Sequence, residues 1–349
     1  MERKEGMSSL FSSHDTDSLL LALASKRLQT LIKSHHPPRR LGEPFVIEKS
    51  LLSKNLQTQW NTHVRSTDLS ALLARCEEEA IRPLLPHHPE WPSRLFHLGE
   101  HAPRALFVRG SLPPVPHIAL IGARAPSAYG LRATDHLVNE LRPASICLLS
   151  GLALGIDGRA HEQALRYGLP TTAILGLGVA KDQIYPVAHH ALAERILAAG
   201  GALISEVPPG QDGHRGAFPE RNRLLAALCQ AAVVIEAKER SGTLITARIA
   251  LELGREVLAV PGSIFSFTSR GTNALLAAGA HPCVSADDIW RSLRLERPKA
   301  QETRKAALHL NTLDQPIIEL LRAESEGLTL DQCTQRLTSM PAQELTTRF

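Results

Sequence analysis

The stretch His117-Ile-Ala-Leu-Ile121-Gly-Ala-Arg124, with Ser145-Ile-Cys-Leu-Leu149-Ser-Gly-Leu-Ala-Leu-Gly-Ile-Asp157 and His161 beyond it, decides the fold. It reads strand, tight loop, helix, strand, tight loop, helix, the first helix running from about Gly130 to Leu141. Both loops carry glycine, and both fall at the carboxyl ends of strands. In an open α/β sheet that edge forms the ligand crevice. Glycine lets a backbone come close to a ligand, and the free N–H groups that open a helix attract anions. The stretch therefore predicts a phosphate-binding place, with Arg124 adding a fixed positive charge.

Working outward, the same alternation continues to about residue 293. Further strands are predicted at Thr171–Leu175, Ala202–Ser205, Ala232–Glu236, Val257–Val260 and Pro282–Val284, and helices at about Ala188–Ala199, Glu220–Leu228, Leu244–Leu253 and Thr272–Ala277. The strands are short and apolar without polar alternation, as parallel strands covered on both faces are. Strand–helix alternation of this kind predicts an α/β fold with a doubly wound, mostly parallel Rossmann-like sheet. That domain is placed at 96–293, with a lead-in strand at Ala105–Val108. Residues 1–95 are read as a small helical domain, with helices over Leu19–Ile32 and Thr67–Ile81. Residues 294–312 are polar and basic and read as a linker. Residues 313–349 read as short helices, a winged-helix-like C-terminal segment that lacks the strands of the wing.

Composition narrows the function classes. The chain has 349 residues, 43% of them hydrophobic but only 4% aromatic, so the core rests on aliphatic side chains. A net charge of +4 permits a polyanionic partner without demanding one. Five scattered cysteines (76, 147, 229, 283 and 333) form no Cys-x-x-Cys, which predicts no metal site and no disulfide framework and points to a reducing cytoplasm. The N-terminus lacks the apolar core of a signal peptide. No apolar run reaches the ~18 residues of a membrane span.

Four loops carry candidate chemistry. The first, Gly122-Ala-Arg124, is either a tight turn with a surface arginine or a phosphate contact. The second ends in Asp157, four residues before His161: either an acid–base pair or a helix cap beside a packed histidine. The third, His214-Arg-Gly-Ala-Phe218-Pro-Glu-Arg221-Asn222-Arg223, combines arginines with an aromatic. Arginines neutralise phosphates and aromatic faces stack on unpaired bases, but Arg221 and Arg223 could equally pair with Glu220 and Glu206. The fourth, Lys238-Glu-Arg240-Ser241-Gly242-Thr243, follows a buried strand and opens a helix, as a phosphate cradle does. All four lie at strand carboxyl ends, so the reading predicts one basic crevice holding Arg124, Arg215, Arg221, Arg223, Lys238 and Arg240.

In order and spacing the chain resembles the DprA (Smf) family of DNA-processing proteins. The resemblance rests on Ile121-Gly-Ala-Arg124 with Tyr129-Gly130, Ser150-Gly-Leu-Ala-x-Gly-Ile-Asp157 with Ala160-His161, Tyr185-Pro186, Ser205-Glu206, Phe218-Pro-x-Arg-Asn-Arg223, Ser241-Gly-Thr-Leu-Ile-Thr246, Val260-Pro-Gly262, Gly271-Thr-Asn273 and Gly279-Ala280. It covers about 88–292; Trp91-Pro92 and Leu106-Phe-Val-Arg-Gly110 resemble the family's lead-in. It implies a homodimeric single-stranded DNA binder of natural transformation that protects incoming strands and helps load a RecA-type recombinase. No cofactor is expected, and no enzyme activity, since Thr246 leaves the general acid/base role without a residue. The resemblance also implies phosphate contacts from Arg124, Arg215 and Arg240, a base beside Phe218, and a cradle at Ser241, Gly242 and Thr243, with Arg221, Asn222, Arg223 and Lys238 around it. The alternative is a nucleotide phosphoribohydrolase, which resembles this fold but carries a carboxylate where this chain has Thr246. A dinucleotide oxidoreductase would need Gly-x-Gly-x-x-Gly in the first loop, which is absent.

Overall fold

The computed structural model describes residues 13–24, 52–142, 144–211 and 216–295. The winged-helix segment, nearly all of the linker, the second half of the helix read over Leu19–Ile32, and His214 with Arg215 lie outside them.

Nine described strands form one sheet: β1 (Ile81–Leu84), β2 (Leu106–Gly110), β3 (His117–Ile121), β4 (Cys147–Ser150), β5 (Thr171–Ile174), β6 (Ala202–Ser205), β7 (Ala231–Val234), β8 (Glu256–Ala259) and β9 (His281–Pro282). Their order is β1-β2-β6-β5-β4-β3-β7-β8-β9. From β6 to β9 every pairing is parallel, while β2 runs antiparallel to both β1 and β6. The chain enters at β3, moves outward through β4, β5 and β6, then returns to place β7 on the other side of β3. The switch point thus lies between β3 and β7, where ligands bind in such sheets.

Period-two alternation assigns the two faces. Ala119, Ile121, Cys147, Leu149, Val234 and Val257 pack beneath α7 (Ala217–Leu228) and α8 (Gly242–Glu252). Ile118, Leu120, Leu148, Val233 and Leu258 pack beneath α4 (Ala128–Leu141), α5 (Ile156–Tyr167) and α10 (Ala286–Leu293). A third cluster joins α3 (Leu69–Glu78) and α6 (His190–Ala198) to β2, β5 and β6 through Leu73, Cys76, Phe107, Leu192 and Leu203. Further out, α1 (Ser13–Leu23) and α2 (Lys54–Ser66) pack Leu20 and Leu21 against Leu56 and Trp60. The short α9 (Arg270–Ala277) precedes β9.

Two element readings change. The helix read to Ile81 ends at Glu78; Ala80 takes a positive φ of 53°, and Ile81 begins a strand. Helix-like sequence ran on because Glu77, Glu78, Glu79 and Ala80 are all helix formers. Pro83, which lacks a ladder donor, sits in an edge strand, where proline is tolerated. The helix α10 was not anticipated, although Ser285 caps it with a full capping box to Asp288. The buried state expected of Cys147 and Cys229 is found. Burial pushes both thiols up to about 12, so neither is a nucleophile at neutral pH. Among the described residues no helix is long and apolar enough to cross a membrane, and no group of His, Cys, Asp and Glu could hold a metal ion.

Candidate nucleic-acid interface

The loops after β3, β4, β6 and β7 open on one edge, and a cleft of about 400 Å³ lies among them. Its lining includes Arg124, Phe218, Arg221, Asn222, Lys238, Arg240, Ser241, Gly242 and Thr243. Arg223 is not in that lining, and Arg215 lies outside the described residues.

Backbone contact between the first two loops shapes the floor. Ile156 N–H donates to the Ala123 carbonyl at 3.1 Å. Gly155, at φ 81°, makes the approach possible: a Cβ there would fall 2.3 Å from that carbonyl oxygen. The helices are then tied to this floor. Thr243 Oγ1 donates to the Gly122 carbonyl at 3.1 Å, and Asn222 Nδ2 donates to the Gly242 carbonyl at 3.4 Å. So α8, the first loop and α7 form one frame.

The cations in this frame divide into two kinds. Arg124, Lys238 and Arg240 are exposed and have no carboxylate partner among the described residues. The Arg124 guanidinium lies 5.7 Å from the centre of the Phe218 ring, and the centre of the exposed Tyr185 ring lies 5.6 Å from it. Arg221 is different. It is 7% exposed, its Nη1 donates to the Ile174 carbonyl, and its Nε donates to Asn222 Oδ1 at 3.2 Å. A Cβ on Gly151 would fall 2.3 Å from that guanidinium. Arg223 Nη2 pairs with Glu206 Oε1 at 2.6 Å. Both arginines of the α7 turn therefore brace the wall: Arg223 through the expected ion pair with Glu206, Arg221 through a backbone carbonyl and Asn222 instead of a carboxylate.

Asp157 and His161 do not form a pair. Asp157 Oδ2 accepts the Gly151 N–H at 3.0 Å, and burial pushes its carboxyl above the usual range against the pull of the Arg221 charge and the loop hydrogen bonds. Burial likewise lowers Arg221, with Asp157 opposing it. His161, fully buried, bonds through Nδ1 to Thr171 Oγ1 at 2.7 Å. Since that hydroxyl donates to the Leu148 carbonyl at 3.0 Å, Nδ1 carries the proton. Burial, reinforced by the charges of His189 and Arg221, pushes the imidazole down to about 3. It is a neutral core histidine at any physiological pH.

At the opening of α8, Ser241 caps the helix: its Oγ accepts the Thr243 N–H at 3.2 Å. The expected cradle is therefore narrower than two N–H groups. The Thr243 N–H is occupied, while the Gly242 N–H has no partner among the described residues, and a side chain added at Gly242 would meet nothing within 4 Å. Sequence reasoning also missed Glu236. It is 1% exposed, two residues beyond β7, and accepts from Ser127 N (2.8 Å), Ser127 Oγ (2.6 Å) and Thr268 Oγ1 (2.8 Å). It holds the segments after β3 and β8 against the crevice. Its signal was a lone carboxylate ending an apolar strand, which has to find donors in the adjoining loops.

A family profile described as DNA recombination-mediator protein A matches residues 82–294. The chain is 35% identical over 278 residues to Protein Smf of Escherichia coli (strain K12), across 78% of this chain and 74% of that protein. Its fold is similar to the X-ray structure of DNA processing protein A (DprA) from Streptococcus pneumoniae, with a TM-score of 0.69, 28% identity, and coverage of 82% of this chain and 99% of the other. It is also similar to DNA processing protein A from Helicobacter pylori, whose structure concerns a single-stranded DNA binding mode, with a TM-score of 0.52, 29% identity, and coverage of 58% and 92%.

Proposed function

The chain belongs to the DprA (Smf) family of DNA-processing proteins, and from that premise we propose that its crevice binds single-stranded DNA. The observation that carries the reading is the placement of three unpaired cations, Arg124, Lys238 and Arg240, around a half-buried Phe218 at the switch point of the sheet. Cations along a groove neutralise the phosphodiester backbone, and an aromatic ring stacks on a base whatever its identity. The cleft lies on the side of the frame where the Gly242 N–H opens a helix, so a phosphate there meets a helix N-terminus as well as side chains. Arg221, Asn222 and Arg223 act as positioning residues: they hold α7, and with it Phe218, at the cleft wall.

Thr246 is 3% exposed and lines the cleft where a nucleotide hydrolase of the related group would carry its carboxylate. Asp157, the carboxyl group in the cleft lining, is engaged with the Gly151 N–H. Binding, not cleavage, is therefore the proposed activity. Protection of incoming strands in natural transformation, a homodimeric state and loading of a RecA-type recombinase complete the proposal, and their support is membership of the family.

The test is competition. Labelled oligo-dT bound to the protein is challenged with unlabelled single-stranded and duplex DNA of equal nucleotide content. The proposal expects the single strand to displace the label far more effectively, and Arg124→Ala and Arg240→Ala each to weaken binding. Equal displacement by duplex, or variants that bind as the parent does, would contradict it.

A further inference from the structure

Between β8 and α9 the chain reads Val260-Pro-Gly-Ser-Ile-Phe-Ser-Phe-Thr-Ser269. Three of its large apolar side chains are turned out to solvent: Ile264 is 76% exposed, Phe265 87% and Phe267 67%. One exposed apolar residue needs no explanation, but three within four positions make a patch, and patches of that kind mark contact surfaces.

The segment is firmly held. Ala237 N–H donates to the Thr268 carbonyl and Gly271 N–H donates to the Ala237 carbonyl, both at 2.8 Å. Thr268 Oγ1 reaches the buried Glu236, and Tyr129 Oη donates to the Pro261 carbonyl at 2.7 Å. Asn273 closes the turn on both the N–H and the carbonyl of Gly262. These bonds staple the aromatic loop to the start of the segment that carries Lys238 and Arg240. The patch thus adjoins the crevice, one strand further along the sheet from the loop after β7.

Its charge matches that position. Arg270 is exposed, has no carboxylate partner among the described residues, and lies 4.1 Å from the centre of the Phe267 ring. Phe265 has no ring partner among the described residues. An arginine resting on an aromatic face beside a bare ring is the pairing that serves single strands: a ring for the base and a cation for its phosphate. Glu239 is the exposed carboxylate of the adjoining loop, and the cations Lys238, Arg240 and Arg270 outnumber it.

We propose that this loop is a second stacking platform, on which a single strand leaving the crevice past Lys238 lays its bases against Phe265 and Phe267 while Arg270 meets a phosphate. The proposal rests on the single-strand reading of the crevice and adds to it a direction and a length: the strand runs from the Phe218 side across the end of β7 to the end of β8.

The test is a length series. Affinity is measured for oligo-dT of about six and about twenty nucleotides, below and above the span of a single site. The proteins are the parent chain, Phe265→Ala/Phe267→Ala, Phe265→Trp and Arg124→Ala. The ratio of long to short affinity should fall about five- to a hundredfold in the double alanine variant, the loss expected for one or more stacked bases. Phe265→Trp should keep the ratio, and Arg124→Ala should weaken both lengths. An unchanged ratio in the double variant would overturn the platform while leaving the crevice standing. So would a shift of the double variant to a smaller oligomer in sedimentation equilibrium, which would make the patch a contact between copies. Absence of binding by the parent chain at either length would overturn both readings together.

Discussion

Two sets of arginines, one in or behind the wall of the cleft and one on its loops, face opposite demands. Arg221 and Arg223, on α7, are held by the protein: the first by the Ile174 carbonyl and Asn222, the second by Glu206, with its buried Nη1 left without a partner among the described residues. Arg124 and Arg240, on the loops after β3 and β7, spend none on a carboxylate among the described residues. The difference lies in the backbone beneath them. A helix turn packed on β5 places its side chains against carbonyls and neighbouring carboxylates, whereas a tight loop at a strand end leaves the side chain in water. Residue type alone therefore does not distinguish the two sets, and the proposal assigns phosphate contact to the exposed arginines without a carboxylate partner.

The contrast can be broken at its strongest point first. Replacing Arg221 by Ala leaves a cavity, strips the Ile174 carbonyl of a donor and leaves Asp157 without its compensating charge, so urea unfolding should show a loss of about 3–5 kcal/mol. A loss comparable to that of an exposed arginine would erase the distinction. Next comes pH. His161 has a folded pKa of about 3, below its unfolded value near 6.5, so the unfolded chain binds the extra proton between those values. Its contribution is complete above about pH 6.5 and declines as pH falls toward 3, by about 1.4 kcal/mol per unit. His161→Gln should flatten the acid side of the stability profile by about one proton; an unchanged slope would mean the histidine is not buried neutral.

Smaller effects sharpen the same comparison. Gly151→Ala pushes a methyl against the Arg221 guanidinium and should cost about 1–3 kcal/mol, whereas Gly242→Ala meets open space and should shift stability by less than about 1 kcal/mol. Similar losses at the two glycines would show that the α7 wall yields as readily as the open cradle. Arg223→Ala removes a partly exposed ion pair and should cost about 1 kcal/mol at most, as measured by the same urea titration.

Much of this was legible in the chain. Short apolar strands such as Ile118–Ile121, alternating with helices, imply the parallel sheet, and their carboxyl ends mark the edge where the cleft lies. The tight loops could be read because glycine and helix opening are local features. Three things were not legible. The turn from helix to edge strand near Ala80 was hidden because the residues from Glu77 to Ala80 are all helix formers. The occupation of the Thr243 N–H by Ser241 depends on a rotamer. The division of the arginines depends on which carbonyls and carboxylates the fold brings to them, and the Ile174 carbonyl that receives Arg221 lies 47 positions away. Long-range partners of that kind leave no mark on sequence spacing.

The account rests on unpaired cations meeting phosphates, and the salt dependence of binding tests that most directly. Affinity for oligo-dT is measured across a range of salt concentrations for the parent chain and for Arg124→Ala, Arg240→Ala and Arg223→Ala. Each lost phosphate contact should reduce the slope of log affinity against log salt by about 0.7 for a single strand. The account predicts that reduction for Arg124→Ala and for Arg240→Ala and a preserved slope for Arg223→Ala. A preserved slope in the first two, or an equal reduction in all three, would contradict it.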